Sequence, residues 1–219
     1  MTDSTTTSNV TLRIFQESDI PELVEVINQS MDSYGLSDRI TPDEIRHWLT
    51  IPFVNAAEGF FVAVNADDKI VGTGINMFNH RTGRGFGIIS ALPAYPETKR
   101  QLIEAGDSHI QKRGAVEIAE TEDRPVYIIR QAFTQQTDDI ALLEIAGYSD
   151  NRHFYEMQIV FDGEIEAPTF PAGIEIHPFN PEQHASAVHQ AQQEAFRDHW
   201  GHAEDVPFDE WKKRLEHPH

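Results

Sequence analysis

The chain has 219 residues, 39% hydrophobic and including 13 Phe, enough for one large domain or one and a half small ones with a sizeable core. Its 36 acids against 17 bases leave a formal charge of −19, which excludes a general nucleic-acid binder relying on Lys and Arg to neutralise phosphates, but suits a cationic amine. The absence of Cys removes any disulfide framework, thiolate metal site or cysteine nucleophile. No run of about 18 apolar residues predicts a membrane span. Residues 1–10 are polar and Thr/Ser-rich without the apolar core of a signal peptide, so a loose tail and a cytoplasmic protein are expected.

Leu12-Arg13-Ile14-Phe15 reads as a first strand. Asp19, with Glu22 three residues on, caps a helix carrying Ile20, Leu23, Val24, Ile27 and Met31 on one stripe, and Gly35 ends it. Thr41-Pro42-Asp43-Glu44 opens a second helix, with the cap, proline and acids in their preferred places and Ile45, Trp48 and Leu49 inward. Phe60–Val64 and Lys69–Phe78 flank Asp67-Asp68 as a hairpin. Residues 81–85 turn into a central apolar strand, Phe86–Leu92. Pro93-Ala94-Tyr95-Pro96 stops that strand because proline cannot donate to a sheet ladder.

Thr98-Lys99-Arg100-Gln101 has the capping-box pattern, and Leu102, Gly106 and Ile110 share one face of the helix it opens. A strand feeding a helix through a tight loop is a common anion site, yet this loop has no glycine to free its amides. Arg84-Gly85-Phe86-Gly87 partly resembles a phosphate loop, but it precedes a strand and reads as a hairpin turn. Val126–Phe133 is the next strand. Thr137 caps a helix with Ile140, Leu142, Leu143 and Ile145, which Gly147 stops, and His153–Phe161 alternates as a closing strand.

Pro168, Pro171 and Gly173 mark a linker. The opening pattern then returns. Ile174–Phe179 parallels the first strand, Ala185–Phe196 reads as a helix, and Pro207–Leu215 echoes Pro42–Leu49 at nearly the same offset, which indicates a tandem duplication. The expected organisation is a tail over 1–10, a first domain over 11–165, a linker over 166–172 and the N-terminal third of a second copy over 173–219.

The order strand, two helices, hairpin, central strand, helix, strand, helix, strand resembles the GNAT N-acetyltransferase family. Leu142–Tyr148 followed by Arg152–Met157, and then Ala195–Gly201, resemble its tandem, mycothiol synthase-like branch, with the second domain cut short. The resemblance implies an α+β fold with a mixed, mostly antiparallel sheet flanked by helices. It also implies transfer of an acetyl group from acetyl-CoA to a small amine. In such enzymes the central strand bonds the pantetheine arm and the next loop and helix hold the pyrophosphate. Carried onto this chain, Ile89, Ser90 and Ala91 would meet the arm, and Thr98, Lys99 and Arg100 the phosphates.

The chain departs from the family in two places. The spaced glycines expected after Tyr95 are replaced by Pro96–Gln101, and the frequent tyrosine acid falls on Leu143, which cannot protonate a thiolate. The competing expectation is therefore a GNAT-like domain that does not catalyse and instead supports a catalytic second copy.

No catalytic residue is assigned. Tyr127 and Tyr155 could replace the acid or simply pack. Glu117, Glu120 and Glu122 could supply a base or form a solvated acidic edge. His199, His202, His217 and His219 lack recognised ligand spacing, so no metal site is expected. Trp200 and Trp211 read as core anchors of the second copy, which if exposed could form a homodimer, testable by gel filtration at two concentrations.

Overall fold

A computed structural model describes residues 10–51, 53–118, 125–200, 202 and 204–215. Its contacts divide into two compact units, one ending at Asp150 and one beginning at Asn151. The first unit holds five strands in sequential order: β1 Thr11–Ile14, β2 Phe60–Val64, β3 Ile70–Asn79, β4 Arg84–Ala91 and β5 Tyr127–Arg130. β1 to β4 run antiparallel, and β5 lies parallel to β4. A parallel neighbour needs a crossover, supplied here by the long helix α4, Glu97–Glu117. The sheet is mixed and mostly antiparallel, as the resemblance implies.

Helices cover both faces of the sheet. α1 (Ile20–Ser33) and α2 (Pro42–Thr50) bury Leu23, Ile27 and Ile45 with Val62, Ile70 and Ile75 in one core, which Phe15 and Phe60 extend as stacked rings 4.1 Å apart. Ala63 and Val71, each one residue away in the two-residue strand period, turn to Leu102 of α4 in the other core. Further along α4, Ile110 packs with Phe78 and Ile118.

Local signals are honoured at α2, where Thr41 and Glu44 form a reciprocal capping box. In the β2–β3 hairpin the Asn65 side chain accepts from the amides of Asp67 and Lys69, and Asp68 takes φ +60°. Asp19 precedes α1 but does not cap it. It accepts from the Gln16 amide and binds Arg13 bidentately at 2.7 and 2.9 Å. The supposed phosphate loop is a hairpin: residues 80–83 turn, with Gly83 at φ +68°, and Arg84–Gly87 already belong to β4.

Four further sequence expectations are corrected. α4 starts at Glu97 behind Pro96, so Thr98 lies within the helix and caps nothing; its buried hydroxyl has no partner. Thr137 is the first residue of α5 (Thr137–Ile145) rather than its side-chain cap. Residues 153–161 and 174–179 form no strand, and Tyr155, Met157 and Ile159 are exposed. Alternation records what a strand would need, but a strand also needs an edge to pair with.

The second unit contains α6, Pro181–Phe196, and α7, Phe208–Leu215. Trp211 is buried and its indole bonds the Gln192 side chain, whereas Trp200 is half exposed beside Phe154. No helix among the described residues is long and apolar enough to cross a membrane.

Candidate functional site

The geometry that matters begins where β4 and β5 part. Their parallel register covers Arg84–Gly87 against Tyr127–Arg130 and ends there, while β4 stays paired with β3 as far as Ala91. The Gly83 carbonyl accepts from the Tyr127 amide, and the Leu92 amide donates to Val71 on β3. Backbone groups alternate sides along a strand, so odd-numbered Ile89 and Ala91 share the phase of Gly83 and face the open side. Beyond Gly87 that edge of β4 has no strand beside it among the described residues. An unpaired edge with its N–H and C=O groups exposed can bind an extended, amide-bearing ligand as an added strand. Ser90, in the other phase, is largely buried; Ala91 is buried as a whole residue, and Ile89 is half-buried.

The residues after that edge are arranged differently from a plain phosphate loop. Thr98 is 1% exposed and packs its methyl against Gly72. Lys99 is also buried. Its Nζ donates to Asp139 Oδ1 at 2.6 Å and to Tyr34 Oη at 2.8 Å, and lies 4.8 Å from the Tyr34 ring centroid. Arg100 is on the surface and pairs with Glu97 and Glu104 one turn either way. Thus Thr98 and Lys99 turn inward, and Arg100 alone faces solvent. Lys99 belongs to the helix that follows β4 and Asp139 to the helix that follows β5, so their ion pair bridges the two arms of the divergence.

A second buried cluster lies beneath α4. Arg130, the last residue of β5, has a side chain 1% exposed and donates to Asp107 Oδ1 at 2.6 Å, to Tyr148 Oη at 3.0 Å and to the Ile103 carbonyl and Asn76 Oδ1. Tyr148 donates to Asp107 at 2.7 Å, and Asn76 in turn donates to the Gly59 carbonyl. Burial, opposed by the Arg130 charge and reinforced by the bond to Asp107, pushes the Tyr148 phenol well above its ordinary value, so it stays protonated. The cluster fits because Gly87 and Gly106 have no side chains: a Cβ would come within 2.3 Å of Arg130 Nη1 at Gly87 and within 2.2 Å of Asn76 Oδ1 at Gly106.

Sequence reasoning missed Tyr34, Asn76, Asp107, Arg130, Asp139 and Tyr148. The available signal was indirect: glycines inside a strand and inside a helix mark a close approach. Of the alternative acids, Tyr127 and Tyr155 are both exposed. Glu117 is bound by Arg113 at 2.7 Å, and Glu120 and Glu122 lie outside the described residues, as do His217 and His219. His202 stands 3.4 Å from Asp205, and no group of three or more potential metal ligands occurs among the described residues.

His109 on α4 gives a pH dependence. Its Nε2 is buried without a partner beside Gly59, and its ring meets Phe61 edge-on. Burial first, and the Arg113 charge second, hold its pKa below the usual 6.5. The fold therefore prefers the neutral ring. The stability this contributes is complete above pH 6.5 and is lost as pH falls toward the depressed folded value. Thermal melts should fall between pH 7.5 and 5.5, and His109→Phe should show a smaller fall; an equal fall in both proteins would contradict this assignment.

No family model matches the sequence, and no match was found among curated proteins. Solved structures do match. A GCN5-related N-acetyltransferase from Sphaerobacter thermophilus superposes with TM-score 0.75 at 19% identity, covering 94% of this chain and 63% of its own. This chain has the GNAT N-acetyltransferase fold. A GNAT-family acetyltransferase from Staphylococcus aureus Mu50 (TM-score 0.52, 12% identity, 66% of this chain and 87% of its own) shares it. So does the ribosomal-protein-S18-alanine N-acetyltransferase of Escherichia coli (TM-score 0.50, 14% identity, 66% and 80%). The chain spans 63% of the length of the Sphaerobacter GNAT protein.

Proposed function

We propose that the protein is an N-acetyltransferase that takes its acetyl group from acetyl-CoA and gives it to a small amine. The observation that carries this reading is the parting of β4 from β5 after Gly87, which leaves the backbone of Ile89 and Ala91 without a strand partner on that side. Acetyl-CoA fits that edge at its amide-bearing arm, and when bound supplies the activated thioester. The chain's own part is to bond the arm through Ile89 and Ala91 and to hold the phosphates near Lys99 and Arg100. The formal charge of −19 favours a cationic acceptor. Residues 173–219 are read as the start of a second copy, α6 and α7 following the order of α1 and α2.

A second reading is favoured by one observation, the Asp139 carboxylate already bound to Lys99. On that reading the first unit is a scaffold and chemistry belongs to the second copy. The discriminating assay incubates the 219-residue chain with acetyl-CoA and a panel of primary amines and follows free thiol. Amine-dependent thiol release at a rate set by protein concentration is the expected result. Release no faster than the protein-free rate for every amine would leave the first unit as scaffold.

A further inference from the structure

Six apolar side chains within eight residues of the second unit stand in solvent: Phe154, Tyr155, Met157, Ile159, Val160 and Phe161, with Met157 91% exposed. Among the described residues, no backbone hydrogen bond joins residues 154–161 to another segment. The segment is rich in strand formers and contains no Pro or Gly, so it is a strand-capable stretch with both edges open. Its start is anchored within its own unit, where Arg152 lies 5.5 and 4.6 Å from the Phe154 and Trp200 ring centroids. It is also a gap in the chain's charge. Residues 153–161 carry one acid, Glu156, and no Lys or Arg, whereas the whole chain has a formal charge of −19. Two copies of the chain meet with least repulsion at such a window.

The segment is complementary to itself. Paired antiparallel about a two-fold axis at Met157, Tyr155 meets Ile159, Phe154 meets Val160, His153 meets Phe161 and Glu156 meets Gln158. Aromatic residues opposite β-branched ones stabilise a sheet, and like charges directly opposite destabilise it. No other register brings Glu156 and Gln158 together. An axis at residue 156 sets two glutamates face to face, and an axis at residue 158 sets Glu156 against Val160. We propose that residues 153–161 are a dimerisation strand, and that a second copy of this chain pairs with it antiparallel about Met157. The contact is isologous, each copy offering the same surface. A two-stranded ribbon is weak alone, so the dimer forms at about 10–100 µM protein rather than at nanomolar levels. Because salt screens the repulsion between two acidic chains, association tightens as salt is added. The pairing does not depend on the acetyl-CoA reading.

The test uses the full 219-residue chain, whose lack of Cys makes engineered thiols unambiguous. Sedimentation velocity should show a monomer–dimer equilibrium. Met157→Lys sets two cations face to face and should raise the dissociation constant at least about tenfold. Mixing Met157→Lys with Met157→Glu should restore the dimer. Directly opposite Cα atoms lie about 4.5–5.5 Å apart, within disulfide reach, and diagonal ones about 7–8 Å apart. Under mild oxidation Met157→Cys should therefore form a covalent dimer several-fold faster than Gln158→Cys. A chain that stays monomeric up to about 500 µM overturns the proposal. Slow hydrogen exchange at residues 153–161 in that monomer would mean that its own chain covers the segment. A dimer that Met157→Lys leaves intact, equal cross-linking of the two cysteine variants, or growth into larger species overturns it as well.

Discussion

Asp107→Ala is expected to destabilise the fold by about 3–5 kcal/mol, a large fraction of the total stability of a domain this size. The Arg130 side chain is 1% exposed, and Asp107 is its only charged partner among the described contacts. Removing the carboxylate strands a buried guanidinium and takes the acceptor from Tyr148. The cost is that of an unpaired buried charge, larger than the net worth of the pair. A double variant, Asp107→Leu with Arg130→Met, should recover most of the loss, because well-packed apolar groups commonly replace a buried pair at little cost. Urea unfolding of the single and double variants measures both numbers. A single variant within about 1 kcal/mol of the unchanged protein would mean that Arg130 finds water or another partner.

Gly106→Ala should destabilise by about 2 kcal/mol, although alanine is the better helix former by about 1 kcal/mol. Residue 106 sits within α4 where the helix crosses the buried cluster. A Cβ there would lie 2.2 Å from Asn76 Oδ1 and 2.8 Å from Arg130 Nη2, both held from several sides. Neither can move without breaking the bond between them, so overpacking outweighs propensity. The contrast is Gly147, where a Cβ meets nothing but φ is +91°, so alanine there is strained by the backbone alone. Circular-dichroism melts of the two alanine variants check this. A Gly106→Ala protein more stable than the original would show that α4 shifts away from the sheet at no cost.

The sheet and its flanking helices were legible because their signals are local. The Thr41 capping box and the Asn65–Lys69 turn chemistry each act within a few residues, and β2 alternates Val62 and Ala63 between the two cores. The site was less legible because its chemistry depends on distant pairs. In α5 Ile140, Leu142 and Leu143 are half-buried as an inward face predicts, yet Asp139 is the residue fully buried and Ile145 is exposed. The cause is Lys99, 40 residues earlier in the chain, which no periodicity can reveal. Arg130 would ordinarily be placed on the surface; its burial follows from Gly87, Gly106, Asn76 and Asp107 meeting across β3, β4 and α4. The resemblance points to Ile89 and Ala91, and strand phase shows what the two share: the backbone of both faces the side of β4 that β5 leaves without a strand. Thr98 is no cap because the helix starts one residue earlier, behind Pro96, which turns the threonine onto Gly72.

Calorimetric titration of acetyl-CoA into the 219-residue chain tests most directly whether the β4 edge beyond Gly87 receives acetyl-CoA. Ala91→Pro is the companion variant, since it deletes the edge amide without removing any charge. Saturable binding with a dissociation constant below about 1 mM, weakened at least tenfold in a folded Ala91→Pro protein, is the predicted result. No heat of binding up to that concentration, or equal binding by both proteins, would contradict it.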